Sequence, residues 1–388
     1  MKVLIIALES INNVGENLLM ETTCYLVKRA APDIETFSAQ LMPRKEHMPK
    51  DLHVDWYVGN VLRKFSLWLH GNRSYIIKSF AYKVKYTRYF SRVIKKTDKI
   101  ILAVGMIKYS TQDFSYIFYL INKLASKYNK EVMMSAMSPQ IACKSDWRYY
   151  QLIEAANMSS VKLITTRDGA HGVEILKSDY LRRDTYCNYV GDPALWIPET
   201  YGISRLKPHR ENPIVAINVI RKGIFDDYNR SWTDKNLFTL YLQLIQILDN
   251  NNWEWRLFCN GGKKDEIVLR ELQSELRISE DKIGIGYSDG KSFAEKLSQF
   301  DVVFGARLHC CITAVSLGVP VVGFIWDEKL KYFSKTMGVD KFFFDPSEMT
   351  AERVFYALED AMRFELDISN REKYKQRTLE SIKRFLIS

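Results

Sequence analysis

No stretch of the 388-residue sequence runs to the ~18 uninterrupted apolar residues of a membrane span, so nothing in it reads as a transmembrane helix. The opening "MKVLIIALES" has an apolar run that stops at Glu9, with no small-residue cleavage pattern. It reads as a first β-strand rather than a signal segment, and the expected location is cytoplasmic. The six cysteines, at 24, 143, 187, 259, 310 and 311, form no C-x-x-C pair, and no His spacing matches a zinc site. Cys310 and Cys311 are adjacent, so a disulfide between them would be strained. All six read as reduced thiols, and neither a structural metal nor a cofactor is expected. There is no low-complexity tract and no fine repeat. Acid is missing from one long window: between Trp56 and Thr97 there is no Asp or Glu. That window holds ten basic residues, Arg63, Lys64, Arg73, Lys78, Lys83, Lys85, Arg88, Arg92, Lys95 and Lys96, which equal the net charge of +10 of the whole chain. The rest is close to neutral.

The chain is long enough for two domains, and its 47% hydrophobic and 26% charged content is that of a globular protein. Short apolar runs alternate with amphipathic segments. "KVLIIAL" (2–8), "KIILAVG" (99–105), "KEVMMSAM" (130–137) and "VKLITT" (161–166) read as buried parallel strands. "ETYGISRLKPHRENP" (199–213) is polar, carries two prolines and reads as a linker. The alternation restarts with strands at 213–220, 253–262, 301–306 and 320–326. "DGKSFAEKLSQF" (289–300) reads as a helix opened by a capping box of Ser292 with Glu295. The expected fold is α/β, with two Rossmann-like doubly wound domains: 1–198, a linker at 199–212, and 213–388. The segment from about 351 to 388 reads as one charged helix that packs back across both halves.

"GARLHCCITAVSLGVPVVGF" (305–324) sets Arg307 and His309 just past a strand, where a helix begins. In open α/β sheets ligands bind beyond the carboxyl ends of the strands, and a helix N-terminus favours anions. Arg adds a planar fork for phosphate or carboxylate, and His holds or moves a proton near neutral pH. The other reading of the same residues is a structural ion pair and a His bonded to a backbone carbonyl. R-x-H spacing alone leaves both open.

The stretch "DVVFGARLHCCITAVSLGVPVVGFIWDEKL" resembles the C-terminal signature of the polysaccharide pyruvyl transferase family. That pattern has Arg307, Leu308 and His309 at a strand end, then Gly318, Val319 and Pro320, then Trp326, Asp327 and Lys329. "NNVGENLLM" is similar to the family's Asn-x-Gly turn, at Asn13, Gly15 and Glu16. "TTRDGAHGVEIL" is similar to its Arg-Asp segment, at Arg167 and Asp168, and "GDPAL" to its Asp-Pro-Ala, at Asp192, Pro193 and Ala194. The chain departs from the pattern at Glu16, where Asp is usual, at Glu328, where Pro is common, and in a glycine triplet reduced to Gly105. The resemblance implies two domains facing a cleft, as in the B-type glycosyltransferases, with the acceptor on the first and the donor on the second. It implies transfer of a pyruvyl group from phosphoenolpyruvate to sugar hydroxyls as a ketal. The glycan acceptor would be a surface polysaccharide or its lipid-linked precursor. Arg307 would then clamp the donor anion, and His309 would move a proton or stabilise the departing phosphate.

Arg221, at the end of "VAINVIRKG", and Lys329 are further donor cations on this reading. Arg167, Asn13 and Gly15 would line the acceptor side. Each also has a plainer reading, as a loop cation or a turn, and Asp168 reads first as a helix N-cap. The basic tract from 63 to 97 would suit an anionic membrane surface, with the protein peripheral at the inner face, or be the solvated face of a helix packed on the sheet. No nucleic-acid module accompanies it. One rival function is a nucleotide-sugar glycosyltransferase of the same shape. Such enzymes often carry a Glu five residues before the Gly of Gly-x-Pro, where this chain has Thr313. The other is a non-catalytic scaffold at the membrane.

Overall fold

A computed structural model describes residues 1–8, 14–69, 72–105, 107, 113–205, 211–228, 231–284 and 289–388. Asn13 and residues 206–210 of the expected linker lie outside the described residues, as does the side chain of Arg73. Residues 1–9, 23–190 and 377–388 form one compact unit, and residues 10–22 and 191–376 a second.

The first unit is built on a parallel sheet of β1 (Lys2–Ala7), β2 (Glu35–Gln40), β3 (Lys99–Ala103), β4 (Glu131–Met137), β5 (Val161–Thr166) and β6 (Tyr186–Tyr189), in the order β2-β1-β3-β4-β5-β6. The central strands are continuous apolar runs because both faces are covered. All five residues of β3 are buried, and so is β1 after its first residue. The edges β2 and β6 are mostly exposed or half-buried, and their sequences ETFSAQ and YCNY lack the apolar run that marks the others. Three helices of this unit recur below: α1 (Val14–Ala30), whose N-terminal part belongs to the second unit, α2 (His53–Ser66) and α3 (Asn72–Lys95).

The second unit repeats the plan with β7 (Ile214–Asn218), β8 (Glu254–Phe258), β9 (Ile283–Gly284), β10 (Val302–Gly305), β11 (Val321–Phe324) and β12 (Phe343–Phe344), ordered β12-β11-β10-β7-β8-β9 and all parallel. In each sheet the parallel strands end on a single edge, the place where open α/β sheets generally bind ligands.

Three expectations shift. The main segment of the second unit starts at Gly191 rather than after residue 198, and the unit also takes residues 10–22. Asp192 caps the 3₁₀ turn Pro193–Trp196 by accepting from Ala194 N at 2.9 Å, and Ala194, Leu195 and Ile197 are buried in that unit's core. The C-terminal segment is two helices, Ala351–Arg363 and Ile368–Ile387. Phe364 turns extended (φ −77°, ψ 124°), and Asp367 restarts the helix by accepting from Ser369 N at 2.8 Å. The capping box of Gly290–Leu297 is formed by Asp289 and Ser292, one turn earlier than the expected Ser292 and Glu295. Among the described residues, no helix is long and apolar enough to cross a membrane.

Candidate active site

At the carboxyl edge of the second sheet, β7, β8 and β10 end in a buried polar frame. Asn218, the last residue of β7, is fully buried. Its Oδ1 accepts from Arg307 N at 2.9 Å, and its Nδ2 donates to Asn260 Oδ1 at 2.9 Å. Asn260 O accepts in turn from Val14 N at 3.0 Å, fastening the start of α1 to the exit of β8. Asp265, in the first turn of the helix Lys263–Leu276, is 2% exposed. It grips Arg307 from the side: Nε donates to one carboxylate oxygen at 2.9 Å and Nη2 to the other. The same carboxylate accepts from Arg221 N at 2.9 Å. A carboxylate this deep is tolerated because it is paired and hydrogen-bonded on both oxygens.

Arg307 is therefore a structural ion-pair partner, as the plainer sequence reading had it. Its side chain nevertheless stays 26% exposed. The side-on pair leaves the Nη1 edge with no protein hydrogen-bond partner among the described residues. Arg307 is also the N-cap of the helix Leu308–Leu317, with no side-chain cap bond. The first turn of that helix thus presents backbone N–H groups at the strand edge.

His309 lies in that first turn. Its ring rests on Gly15, in the first turn of α1: a Cβ added to Gly15 would fall 2.6 Å from His309 Cγ and 2.8 Å from its Cβ. Two helix N-termini therefore meet at this imidazole, both within the second unit. Nε2 of His309 stands 3.8 Å from a carboxylate oxygen of Asp192, which is 5% exposed. Asp192 thus caps its own turn with one oxygen and faces the imidazole with the other. Gly15, expected on the acceptor side, packs on the His of the donor-side motif.

Arg221, just past β7, and Lys329, at the start of the helix Glu328–Met337 that follows β11, come from the segments after the two strands that flank β10. Arg221 pairs with Asp227 and donates from Nη1 to Lys222 O at 3.0 Å. Lys329 follows the N-cap Asp327, and its ammonium stands 3.8 Å from that carboxylate. Trp326 donates to Ala306 O at 2.6 Å, and Tyr228 packs edge-on against it with ring centroids 5.0 Å apart. Burial, and then the negative Asp327 beside it, push the Tyr228 hydroxyl well above its ordinary pKa, while Arg221 and Arg307 pull the other way. Tyr228 thus feels the charges from all three strand ends. Three cations, each held by a carboxylate, and one imidazole line the ends of β7, β10 and β11. Such a set can bind a small acid and move a proton on it.

In the first unit Arg167 directly follows β5. Its Nη2 donates to Gly105 O at 2.9 Å and its Nε to Ser138 Oγ at 3.1 Å, tying the ends of β3, β4 and β5 together. Gly105, the remnant of the expected triplet, has φ 69°, which only glycine adopts freely. Asp168 holds the N-cap position of Gly169–Ile175, but its carboxylate accepts from Ser138 Oγ at 2.8 Å and makes no side-chain cap bond.

The family model for polysaccharide pyruvyl transferases matches residues 13–328. The chain belongs to this family. No curated protein sequence matches it. Among solved structures it is similar to UDP-GlcNAc 2-epimerase from Methanocaldococcus jannaschii, at 12% identity and TM-score 0.60 over 100% of both chains. It is also similar to the trehalose-6-phosphate synthase OtsA, at 10% identity and TM-score 0.53 over 100% of this chain and 98% of that one. A third is the lipopolysaccharide outer core galactosyltransferase WaaB, at 13% identity and TM-score 0.50 over 100% and 99%. At these identities the likeness is one of fold, the GT-B type with two Rossmann-like domains.

In this pyruvyl transferase family member, sequence reasoning found the cations and missed what holds them. Nothing in the sequence singles out Asp265 or Asn218. Asp192 was legible only as part of a family landmark. Thr313, where a glycosyltransferase often has Glu, is buried and donates from its hydroxyl to His309 O at 2.6 Å.

Proposed function

We propose that this protein transfers a pyruvyl group from phosphoenolpyruvate to two hydroxyls of one sugar, in a surface polysaccharide or its lipid-linked precursor. A first hydroxyl adds to C2 of the donor as C3 gains a proton, giving a phosphorylated tetrahedral intermediate. A second hydroxyl then displaces phosphate and closes the ketal. The two hydroxyl protons balance the one gained by C3 and the one carried off by phosphate. Arg307, with Arg221 and Lys329, binds the phosphate and carboxylate. His309 carries the proton between hydroxyl, carbon and leaving group. Arg167 and Gly105 belong to the loops that would face the glycan. Asn13 keeps its expected substrate-side role on the same reading.

The observation that supports this reading is the grouping of Arg221, Arg307 and Lys329 with His309 on adjacent strand ends of a chain in this family. Phosphoenolpyruvate is the donor this set suits. It is small and multiply charged, and needs several cations and a proton carrier within one short span. A nucleotide-sugar donor is the rival. At position 313 the chain offers it a buried hydroxyl already bonded to the helix backbone, and no carboxylate. We place the protein in the cytoplasm, peripheral at the inner face of the membrane through the region 63–97, where a lipid-linked acceptor would be met.

A thermal-shift comparison separates the donors. Phosphoenolpyruvate should raise the melting midpoint, and UDP-sugars should not. Phosphate release from phosphoenolpyruvate with candidate acceptors, and a pyruvyl mass gain on the glycan, then test turnover. A shift with UDP-sugars alone, or hydrolysis of a nucleotide sugar, would replace this reading with the glycosyltransferase one. No response to any donor would leave the scaffold.

A further inference from the structure

The helical pair α2 and α3 buries one side and leaves a strip of apolar side chains in water. Along α2, Val54 (67% exposed), Val58 (45%), Val61 (66%) and Phe65 (53%), with Trp68 (84%) just beyond its end, recur at steps of four, three, four and three. That spacing is one face of a helix. The opposite face carries Leu52, Gly59 and Ser66, all buried. At Gly59 a Cβ would lie 2.5 Å from Lys85 Cβ and 2.8 Å from Ala81 O, so α2 presses directly on α3 there. The pair is locked further along by Ser74 Oγ donating to Ser66 O at 2.8 Å, and at the other end by Arg88 and Arg92 paired with Asp55 and Asp51. The orientation of α2 is therefore fixed, and its apolar strip is outward by construction. On α3, Ile76 (69%) and Phe80 (53%) are exposed as well. An apolar surface of this extent marks an interaction face.

We propose that this face of α2 is where the protein seats on an anionic lipid surface, with Val54, Val58, Val61, Phe65 and Trp68 entering the headgroup–acyl boundary. Charge selects the occupant. From Trp56 to Thr97 there is no acidic residue, and the window carries the whole excess charge of the protein. Lys64 and Lys83 are exposed on the same two helices, and Lys64 stands one turn before Trp68. Lys45 reaches the half-exposed Tyr57, bonding its hydroxyl at 2.7 Å and lying 4.7 Å from its ring centre. Apolar side chains with a terminal Trp, bordered by lysines, fit a bilayer with negative headgroups, and the carboxylates nearest the strip, Asp51 and Asp55, are each paired with an arginine of α3. Tyr89, Phe90 and Ile94 of α3 are buried in the first unit's core, as the packed-helix reading of the basic tract expects, and the exposed strip belongs to α2. This inference sharpens the membrane placement proposed above and does not depend on the pyruvyl chemistry.

The test is co-sedimentation of the full chain with vesicles of phosphatidylcholine alone, or with about a third phosphatidylglycerol. The protein should partition onto the anionic vesicles and come off with rising salt. The double variant Val61→Glu/Phe65→Glu should bind at least about tenfold more weakly, since burying either side chain contributes that much. Lys64→Glu/Lys83→Glu should lose the preference for phosphatidylglycerol. All four positions are described as exposed or only partly buried, and circular dichroism checks that each variant folds. Phosphate release with a water-soluble acceptor should be unchanged in both; its loss in wild type would count against the proposed function and not against this face. Failure of wild type to bind anionic vesicles overturns the proposal, as does binding that survives Val61→Glu/Phe65→Glu. A dimer that the same double variant splits, without vesicle binding, assigns the face to a second copy of the chain instead.

Discussion

Gly15 offers His309 a bare α-carbon to lie on. The added Cβ of alanine would fall 2.6 Å from the ring's Cγ, so the imidazole can occupy its place only while residue 15 has no side chain. The expectation for Gly15→Ala follows directly. The clash reaches His309 Cβ at 2.8 Å, so the helix start must give as well as the ring; overpacking of about 1–3 kcal/mol outweighs the helix propensity that alanine gains, and the melting midpoint should fall. The ring must shift, and displacing a catalytic group by about 1 Å can cost about a hundredfold in rate. Phosphate release, measured well below the lowered midpoint where the variant is folded, should therefore fall by one to two orders of magnitude, about 10- to 100-fold. An undiminished rate would separate His309 from the chemistry.

The partner on the other side of the ring gives a second test. Asp192 is both a cap and the carboxylate facing His309. Asparagine caps a helical turn about as well as aspartate but carries no charge. Asp192→Asn should keep the fold and lose much of the turnover. Asp192→Ala should lose turnover and about 1 kcal/mol of stability besides, the ordinary cost of a lost cap. His309→Ala should abolish turnover with little effect on the melting midpoint. If Asp192→Asn and wild type turn over equally, the carboxylate serves the cap alone.

The strands of both sheets were legible because burial on two faces forces continuous apolar runs. β3 and β10 stand out for that reason. The edges β2 and β6, and the two-residue strands β9 and β12, were not legible: an edge has one face and one side in water, and its sequence need not be apolar. The motif around Arg307 and His309 was legible as chemistry at a strand end. Its setting was not. Gly15 and His309 are 294 positions apart in the chain (309 − 15), and no local pattern links them. Asp265 hides for a different reason. An acid in the first turn is an ordinary feature of a helix, and only its burial, invisible in sequence, distinguishes this one.

Asp265 carries the third prediction. Its carboxylate fixes the Arg307 guanidinium and the backbone of Arg221 together. Asp265→Ala leaves that cation without its buried partner and should cost on the order of 3 kcal/mol by denaturant melt. Asp265→Asn keeps the shape and should cost less, but it cannot accept from Nε and Nη2 on both atoms. Either variant should blunt the thermal shift with phosphoenolpyruvate. Arg307→Lys, which keeps charge without the fork, should raise KM for phosphoenolpyruvate more than it lowers kcat. A normal KM in Arg307→Lys would mean that the donor is held elsewhere.

Lys85 gives the fourth, through pH. It is 8% exposed between α2 and α3, donates to Asn60 Oδ1 at 2.9 Å, and lies 4.8 Å from the Trp56 ring centre and 4.9 Å from that of Tyr86. Burial, helped by the nearby Arg63, lowers its pKa to about 8. An unfolded lysine titrates near 10.4. Between those values the unfolded chain holds a proton that the folded chain has released, so the Lys85 contribution to stability rises with pH there. Below pH 8 both states are charged, and the burial penalty is felt in full. Buried thiols pull the other way in the same range: Cys259, raised to about 11 by burial, favours the folded state less as unfolded thiols ionise. The informative quantity is therefore the difference between wild type and Lys85→Met. Lys85→Met should be the more stable at pH 7, apart from the fixed cost of the donor that Asn60 loses. Its advantage should shrink steadily from about pH 8 towards the unfolded lysine value of about 10.4. Urea melts of the two proteins across that range measure it, and a difference that stays flat with pH would mean that Lys85 is charged in the folded protein throughout.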